Sequence, residues 1–369
     1  MLGRILTHLE FLVGCDTQNP PRLISKEHPV ITYCADVLRG CGCSISIEDL
    51  GDGCVSLHAT RGISRTLVNC HLDTVPADSS WSRDPFVLVI EADRAIGLGA
   101  CDIKGAVACI LTAAQESDGP LALLLTTDEE AGQSCCVRSF LRDSSFYERA
   151  LVAEPTGGMA VRAHRGLATF ELEFSGCAAH SSLIGVGMQS AVHQAARWCA
   201  DALELAHDAP YNNIRLNIGV IEGGTKANVS ASSARVVFGM RPPPGMDPEG
   251  PANALKSLIK DTDVCTWIQR FTAPSLDESS GSAGLLRDYG LEPADPVDFW
   301  TEAALFHEAG IATVVLGPGD ISQAHAADEY VLLCDLESVY KSYKRVFSGT
   351  PESKICNAVV SEAQGANQL

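Results

Sequence analysis

Residues 121–130 read LALLLTTDEE: an apolar run, two threonines, then three consecutive carboxylates, Asp128, Glu129 and Glu130. A short run with no polar alternation is the pattern of a strand covered on both faces, and such strands belong to largely parallel sheets. One strand leaving a core for solvent would account for a single case, but the construction recurs. TLVNC (66–70) runs straight into HLDTVP, which sets His71 at a strand's carboxyl end. RALVAEPTG places Glu154 after another apolar run, and IATVVLGPGDISQAH leads to His325 beyond a glycine-bracketed loop. In GLGACDIKGAVACILTAAQ, Asp102 stands between glycines, just ahead of a helical run that starts near Lys104. Helical stretches between the strands predict βαβ units, and open sheets of that kind gather ligands beyond their carboxyl ends. His71, Asp102, Glu129, Glu130, Glu154 and His325 therefore fall on one rim.

The composition agrees with a globular protein large enough for two cores: 369 residues, 46% hydrophobic and 20% charged. A formal charge of −19 argues against nucleic acid or an anionic membrane as partner. No window approaches the run of about 18 apolar residues that a membrane span needs. Arg4, Thr7 and His8 interrupt the first apolar stretch, which reads as an amphipathic helix ending before Pro20 and Pro21 rather than as a signal peptide. The cysteines are odd in number, 15, with Cys135 and Cys136 adjacent and no paired C-x-x-C units, so they read as reduced thiols of a cytoplasmic protein.

Between residues 168 and 273 the texture changes. LATFELEFSG and SARVVFGMRP alternate apolar and polar residues like half-exposed antiparallel strands, beside helix-like SAVHQAARWCADALELA and PANALKSLIKD. The expected organisation is an α/β catalytic domain from 1–167 and 274–350, interrupted by a smaller α+β domain at 168–273. FTAPSLDESSGSAG is the return linker, and 351–369 forms a tail with no core-facing period.

Two imidazoles and several carboxylates converging on one rim repel and desolvate one another, and a divalent cation removes that cost. A nitrogen–oxygen donor set without cysteine suits zinc, cobalt or manganese, and the ligands suffice for two ions sharing a carboxylate. Of two adjacent glutamates, one can hold metal while its neighbour takes a proton from water. Asp73, two residues from His71, is placed to accept the imidazole's other N–H.

HLDTVP, GLGACDIKGAVA, TTDEEAG, VAEPT, HRG, GCAAHSS and LGPGDISQAHAADEY, in that order, closely resemble the M20 metallopeptidases, particularly their acetylornithine and acetylcitrulline deacetylase branch. The resemblance runs to about residue 350 and implies a zinc-peptidase-like catalytic domain with a mixed, largely parallel sheet, plus a smaller lid or dimerisation domain. It implies two divalent ions, zinc or cobalt: His71 and Glu154 on one, Glu130 and His325 on the other, and Asp102 between them. Glu129 becomes the general base and Asp73 the partner of His71, and the peptide after Asp102 is expected to be cis. His180 of GCAAHSS resembles an oxyanion-stabilising histidine, often supplied by a partner subunit, which leaves room for a homodimer through the inserted domain. Asn228 in GGTKANVS, Arg241 in FGMRP and Arg165 in HRG match positions that bind substrate carboxylate. Two departures concern the smaller domain: NVSASSARV lacks a proline common after the asparagine, and Ala179 replaces a common glycine.

The activity so implied is removal of the acetyl group from an N-acetylated amino acid of arginine biosynthesis. VDFWTEAALF resembles the acetylcitrulline enzymes more than the acetylornithine ones, and Glu302 or Asp298 could meet an ornithine ammonium or a citrulline ureido group equally well. A dipeptidase, a carboxypeptidase, a succinyl-diaminopimelate desuccinylase or a non-catalytic relative would keep the same metal residues, so these alternatives stay open.

Overall fold

The computed structural model describes residues 1–142, 146–183, 190–260 and 264–349; the expected tail, 351–369, lies outside the described residues. The chain divides into two compact units. One comprises Met1–Arg162, Glu278–Pro296 and the chain from Thr301 onward; the other comprises Ala163–Asp277 with Val297–Trp300.

The first unit opens with helices α1 (Leu2–Val13) and α2 (Pro29–Gly40), then β1 (Ser44–Asp49), β2 (Val55–Arg61), β3 (Thr66–His71), β4 (Val89–Glu91) and β5 (Arg94–Ile96). It continues through α3 (Lys104–Gln115), β6 (Leu121–Thr126), α4 (Cys135–Arg142) and β7 (Arg149–Val152). The second unit supplies β8 (Leu167–Ser175), α5 (Ala191–Leu205), β9 (Asn217–Gly223), β10 (Ser233–Met240), α6 (Glu249–Ser257) and β11 (Cys265–Ala273). The chain then returns with α7 (Ser280–Tyr289), α8 (Ala303–Glu308), β12 (Ala312–Val315), β13 (Tyr330–Leu332) and α9 (Leu333–Phe347).

The main sheet of the first unit runs β1-β2-β6-β3-β7-β12. β6, β3, β7 and β12 are mutually parallel, and β1 and β2 are antiparallel at one edge. In both β3 and β6 every residue is buried, Thr66, Asn69 and His71 of β3 included, as a strand covered on both faces requires. Helix α3 is buried from Lys104 through Ala114 because it packs against α1, α2 and α9 as well as β3, so it has no solvent face to make polar. Each large aliphatic side chain buried there contributes about 1.5–3 kcal/mol. A Cβ on Gly105 would collide with the Ala100 carbonyl oxygen, so even alanine is excluded at that position. The N-terminal helix is amphipathic as expected, but it ends at Val13, well before the prolines. No helix among the described residues is long and apolar enough to cross a membrane.

The second unit is an antiparallel sheet ordered β11-β8-β10-β9, with α5 packed on one face. β10 alternates buried and less buried residues along its length. Phe170, Trp198 and Phe238 centre its core, with ring centroids 5.3 Å apart for the phenylalanines and 4.9 Å for Trp198–Phe238. In β8 the expected alternation breaks at Glu171, which is buried because Arg235 Nε and Arg270 Nη2 each donate to it at 2.7 Å. The unit is also wider than residues 168–273. His164 and Leu276 exchange both backbone hydrogen bonds, at 3.0 and 3.1 Å, and Val297 N donates to Ala163 O at 3.2 Å. Entry and exit strands are thus paired before β8 begins.

Candidate metal centre and active site

Parallel strands bring their carboxyl ends to one edge, and the candidate ligands of the first unit stand there. His71 is the last residue of β3, Glu129 and Glu130 follow β6, and Glu154 follows β7. Asp102 precedes α3, with a cis peptide to Ile103, and His325 lies beyond β12 in left-handed backbone with φ 60°. A Cβ on Gly317 would strike the Glu154 carbonyl, so glycine there lets the β12 loop lie against the segment that carries this ligand.

Asp102 is the centre of the arrangement. Its Oδ1 lies 3.2 Å from His71 Nε2 and its Oδ2 lies 3.5 Å from His325 Nε2. Each histidine also meets a second carboxylate: Glu154 Oε1 is 4.0 Å from His71 Nε2, and Glu130 Oε1 is 3.2 Å from His325 Nε2. His71, Asp102 and Glu130 each offer a donor atom within 4.8 Å of the others. The result is two histidine–carboxylate pairs sharing one aspartate.

The electrostatics favour a cation here. Burial raises Glu154 and Glu129 well above the usual carboxylate range, and neighbouring carboxylates raise them further. Burial likewise raises Glu130 and pushes Glu302 up to about 8. Hydrogen bonds to Asp102 and Glu130 hold His325 up at about 10. Burial works against a charged His71, but Asp102, Asp73 and the charge of Glu154 outweigh it and raise this imidazole well above its ordinary value. Asp102 is buried too, yet the hydrogen bonds from His325 and His71 lower it. The carboxylates thus draw protons onto both imidazoles, and a divalent ion in their place would satisfy the same charge with nitrogen and oxygen donors.

The neighbouring residues orient the ligands. His71 Nδ1 is 2.9 Å from the Asp73 backbone carbonyl and 3.5 Å from its Oδ1. A carbonyl can only accept, so Nδ1 carries hydrogen and donates at the shorter distance to the main chain, with the Asp73 carboxylate expected from the sequence beside it. Asp73 Oδ2 instead accepts from Asn19 Nδ2 at 3.1 Å and Glu130 N at 3.0 Å. Glu329 accepts from the backbone N–H groups of Gly99, Cys101 and Asp102, each at 2.8 Å, which fixes the loop that carries Asp102. The fully buried Lys104 ammonium donates to Cys15 O at 3.0 Å, and burial brings it down to about 8. Sequence reasoning missed Asn19 and Glu329. Asn19 sits before the prolines read only as a helix stop, and Glu329 lies within the His325 motif without an apolar run to flag it.

In the second unit, His180 and Asn228 come together: Ser181 N donates to Asn228 O at 3.0 Å, and Ser230 N donates to Ala179 O at 2.8 Å. His180 Nδ1 lies 2.7 Å from Ser182 Oγ and 3.3 Å from Ser182 N, and the residue is exposed. Arg165 spends its guanidinium on protein acceptors: Asp298 Oδ1 at 2.8 Å, Asn213 O at 2.7 Å, Asn213 Oδ1 at 2.9 Å and Arg241 O at 3.2 Å. Arg215 also holds Asp298, at 2.5 Å. No hydrogen bond from the half-buried Arg241 guanidinium is found among the described residues. In the first unit, Glu302 is 1% exposed, and its Oε1 has no hydrogen-bond partner among the described residues. The structure therefore leaves Arg241, Asn228 and His180 open to a ligand, while Arg165 is saturated and Glu302 enclosed.

Residues 67–348 match the peptidase family M20/M25/M40. An N-acetyl-L-citrulline deacetylase from Xanthomonas campestris pv. campestris is 42% identical over 95% of this chain and 99% of its own. An acetylornithine deacetylase from Myxococcus xanthus is 32% identical over 84% of this chain and 88% of its own. Among solved structures, a tripeptidase from Staphylococcus aureus superposes with a TM-score of 0.76 at 16% identity, over 94% of this chain and 98% of its own. An M20 family metallo-carboxypeptidase from Sulfolobus solfataricus does so with 0.73 at 18%, over the same shares. Those two likenesses speak for the fold. Because the family match runs from β3, which ends on His71, to the close of α9, the chain belongs to peptidase family M20/M25/M40.

Proposed function

We propose that this protein hydrolyses the acetyl amide of an N-acetylated amino acid, N-acetyl-L-citrulline in preference to N-acetyl-L-ornithine, with two zinc or cobalt ions bound at the rim. The observation that carries the reading is Asp102, whose two oxygens face two histidines that each have a further carboxylate. His71 and Glu154 would hold one ion, Glu130 and His325 the other, with Asp102 between. When bound, the ions supply Lewis acidity and lower the pKa of the attacking water.

The chain's own groups carry the remaining steps. Glu129 takes a proton from the water and returns it to the leaving α-amine; its carboxyl, raised by burial and by Glu154, is suited to holding that proton between the two events. His180 donates its Nε2–H to the oxyanion that forms on the acetyl oxygen. Arg241 and Asn228 receive the substrate carboxylate, and Arg165 orders that region by holding Asp298 and the Arg241 carbonyl. The higher identity to the acetylcitrulline enzyme supports the substrate preference. The reading includes a cytoplasmic setting and a homodimer formed through the second unit. Fourteen cysteines are described and all are free, in keeping with a reducing compartment.

Acetate release from both substrates by the cobalt- or zinc-loaded protein, with Glu129→Ala alongside, tests the proposal. Faster release from acetylcitrulline, abolished by the substitution, is expected. No turnover of either substrate with both metals bound would overturn the assignment.

A further inference from the structure

We propose that Cys54, Asp128 and Cys135 form a separate, thiolate-type metal site that takes a thiophilic divalent cation such as zinc. The three residues come from different segments: Cys54 precedes β2, Asp128 follows β6 and Cys135 opens α4. One donor atom from each lies within 4.8 Å of the other two. A tetrahedral ion with bonds of about 2.0–2.3 Å holds its ligand atoms roughly 3.3–3.8 Å apart, so the set is already close to the size an ion needs.

A second observation points to a ligand. Asp128 is 0% exposed; its Oδ2 accepts from Cys136 N at 3.1 Å, but its Oδ1 receives no N–H or O–H among the described residues, and only the thiols of Cys54 and Cys136 stand beside the carboxylate as further donors. A buried carboxylate oxygen served only by weak thiol donors is costly, and a bound cation would satisfy it. Cys54 is buried while Cys135 is only partly so, which gives an ion a way in.

The charges can be followed as well. Each thiol gives its proton to water as its sulfur–metal bond forms, so two thiolates and one carboxylate face a doubly charged ion. Arg22, paired with Asp52 at 3.2 Å, also brings its Nη1 to 3.7 Å from Cys54 Sγ, which puts a guanidinium beside the remaining negative charge. With two sulfur donors, this site selects softer ions than the nitrogen–oxygen rim does. Asp128 directly precedes Glu129, so occupancy would brace the turn that carries the proposed base.

The test is cadmium titration of the full-length protein with its rim metals in place, following the ultraviolet thiolate-to-cadmium charge-transfer band, which nitrogen and oxygen ligands do not produce. Wild type should show a saturable band that ends at one further cadmium per chain, lost in both Cys54→Ser and Cys135→Ser. Cys135→Ser lies toward the surface and carries the test even if Cys54→Ser folds poorly; unfolding midpoints show which variants are folded. A missing band, or one that persists in folded Cys135→Ser, would overturn the site.

Discussion

Two buried glutamates, one in each unit, show how differently this chain treats a carboxylate taken out of water. Glu171 of β8 has both oxygens occupied by Arg235 and Arg270, and those hydrogen bonds hold it down at about 2. Glu154 is as well buried but stands among Asp102, Glu130 and Glu302, and it is pushed well above its ordinary value. The second unit compensates Glu171 with its own guanidinium groups. The rim of the first unit carries more negative charge than its two imidazoles can balance, and is built for a cation from outside.

The sharpest break of this contrast would be a rim that works without its base. Glu129→Gln should lower kcat by about a hundred- to ten-thousand-fold while elemental analysis still finds both metals. Near-normal turnover would remove Glu129 from the chemistry. His180→Ala should cost about a hundred- to thousand-fold in kcat with little change in metal content, as expected for loss of one donor to a developing oxyanion. Parallel losses of metal and activity would instead make His180 structural.

Glu329→Gln sharpens the comparison from within the rim. It keeps the volume but weakens acceptance of the three N–H groups around Asp102, and should cost about ten- to a hundred-fold in metal affinity, read by competition with a chromogenic chelator. Activity at saturating metal should largely recover; if it does not, Glu329 acts beyond positioning.

The smallest effect on catalysis belongs to Glu171→Gln, which should leave kcat unchanged and lower the unfolding midpoint by several degrees. Its folded pKa, about 2, lies below the ordinary 4.5, so its stabilisation is present above pH 4.5 and lost as pH falls toward 2. The gap in stability between wild type and variant should shrink over that range. A gap that stays constant would mean the carboxylate is not what the arginines recognise.

Strand and helix patterns in the sequence were enough for the largely parallel sheet, because burial on both faces makes β6 and the middle of β3 mostly apolar without alternation. They also led to His71, Asp102, Glu130, Glu154 and His325, since parallel strands must deliver whatever follows them to the same edge. Tertiary structure alone decided the contacts made across the chain. Glu329 reaches back to Gly99, Cys101 and Asp102, and Asn19 reaches Asp73. Arg165 is consumed by Asn213, Asp298 and Arg241, and Cys54 meets Asp128 and Cys135. These partners are far apart along the chain, so no local spacing or period announces the contacts, even where a residue such as Arg165 or Glu329 sits inside a motif. Their positions follow from where the packed sheet brings distant backbone together, and hydrogen bonding and charge then settle which atoms meet.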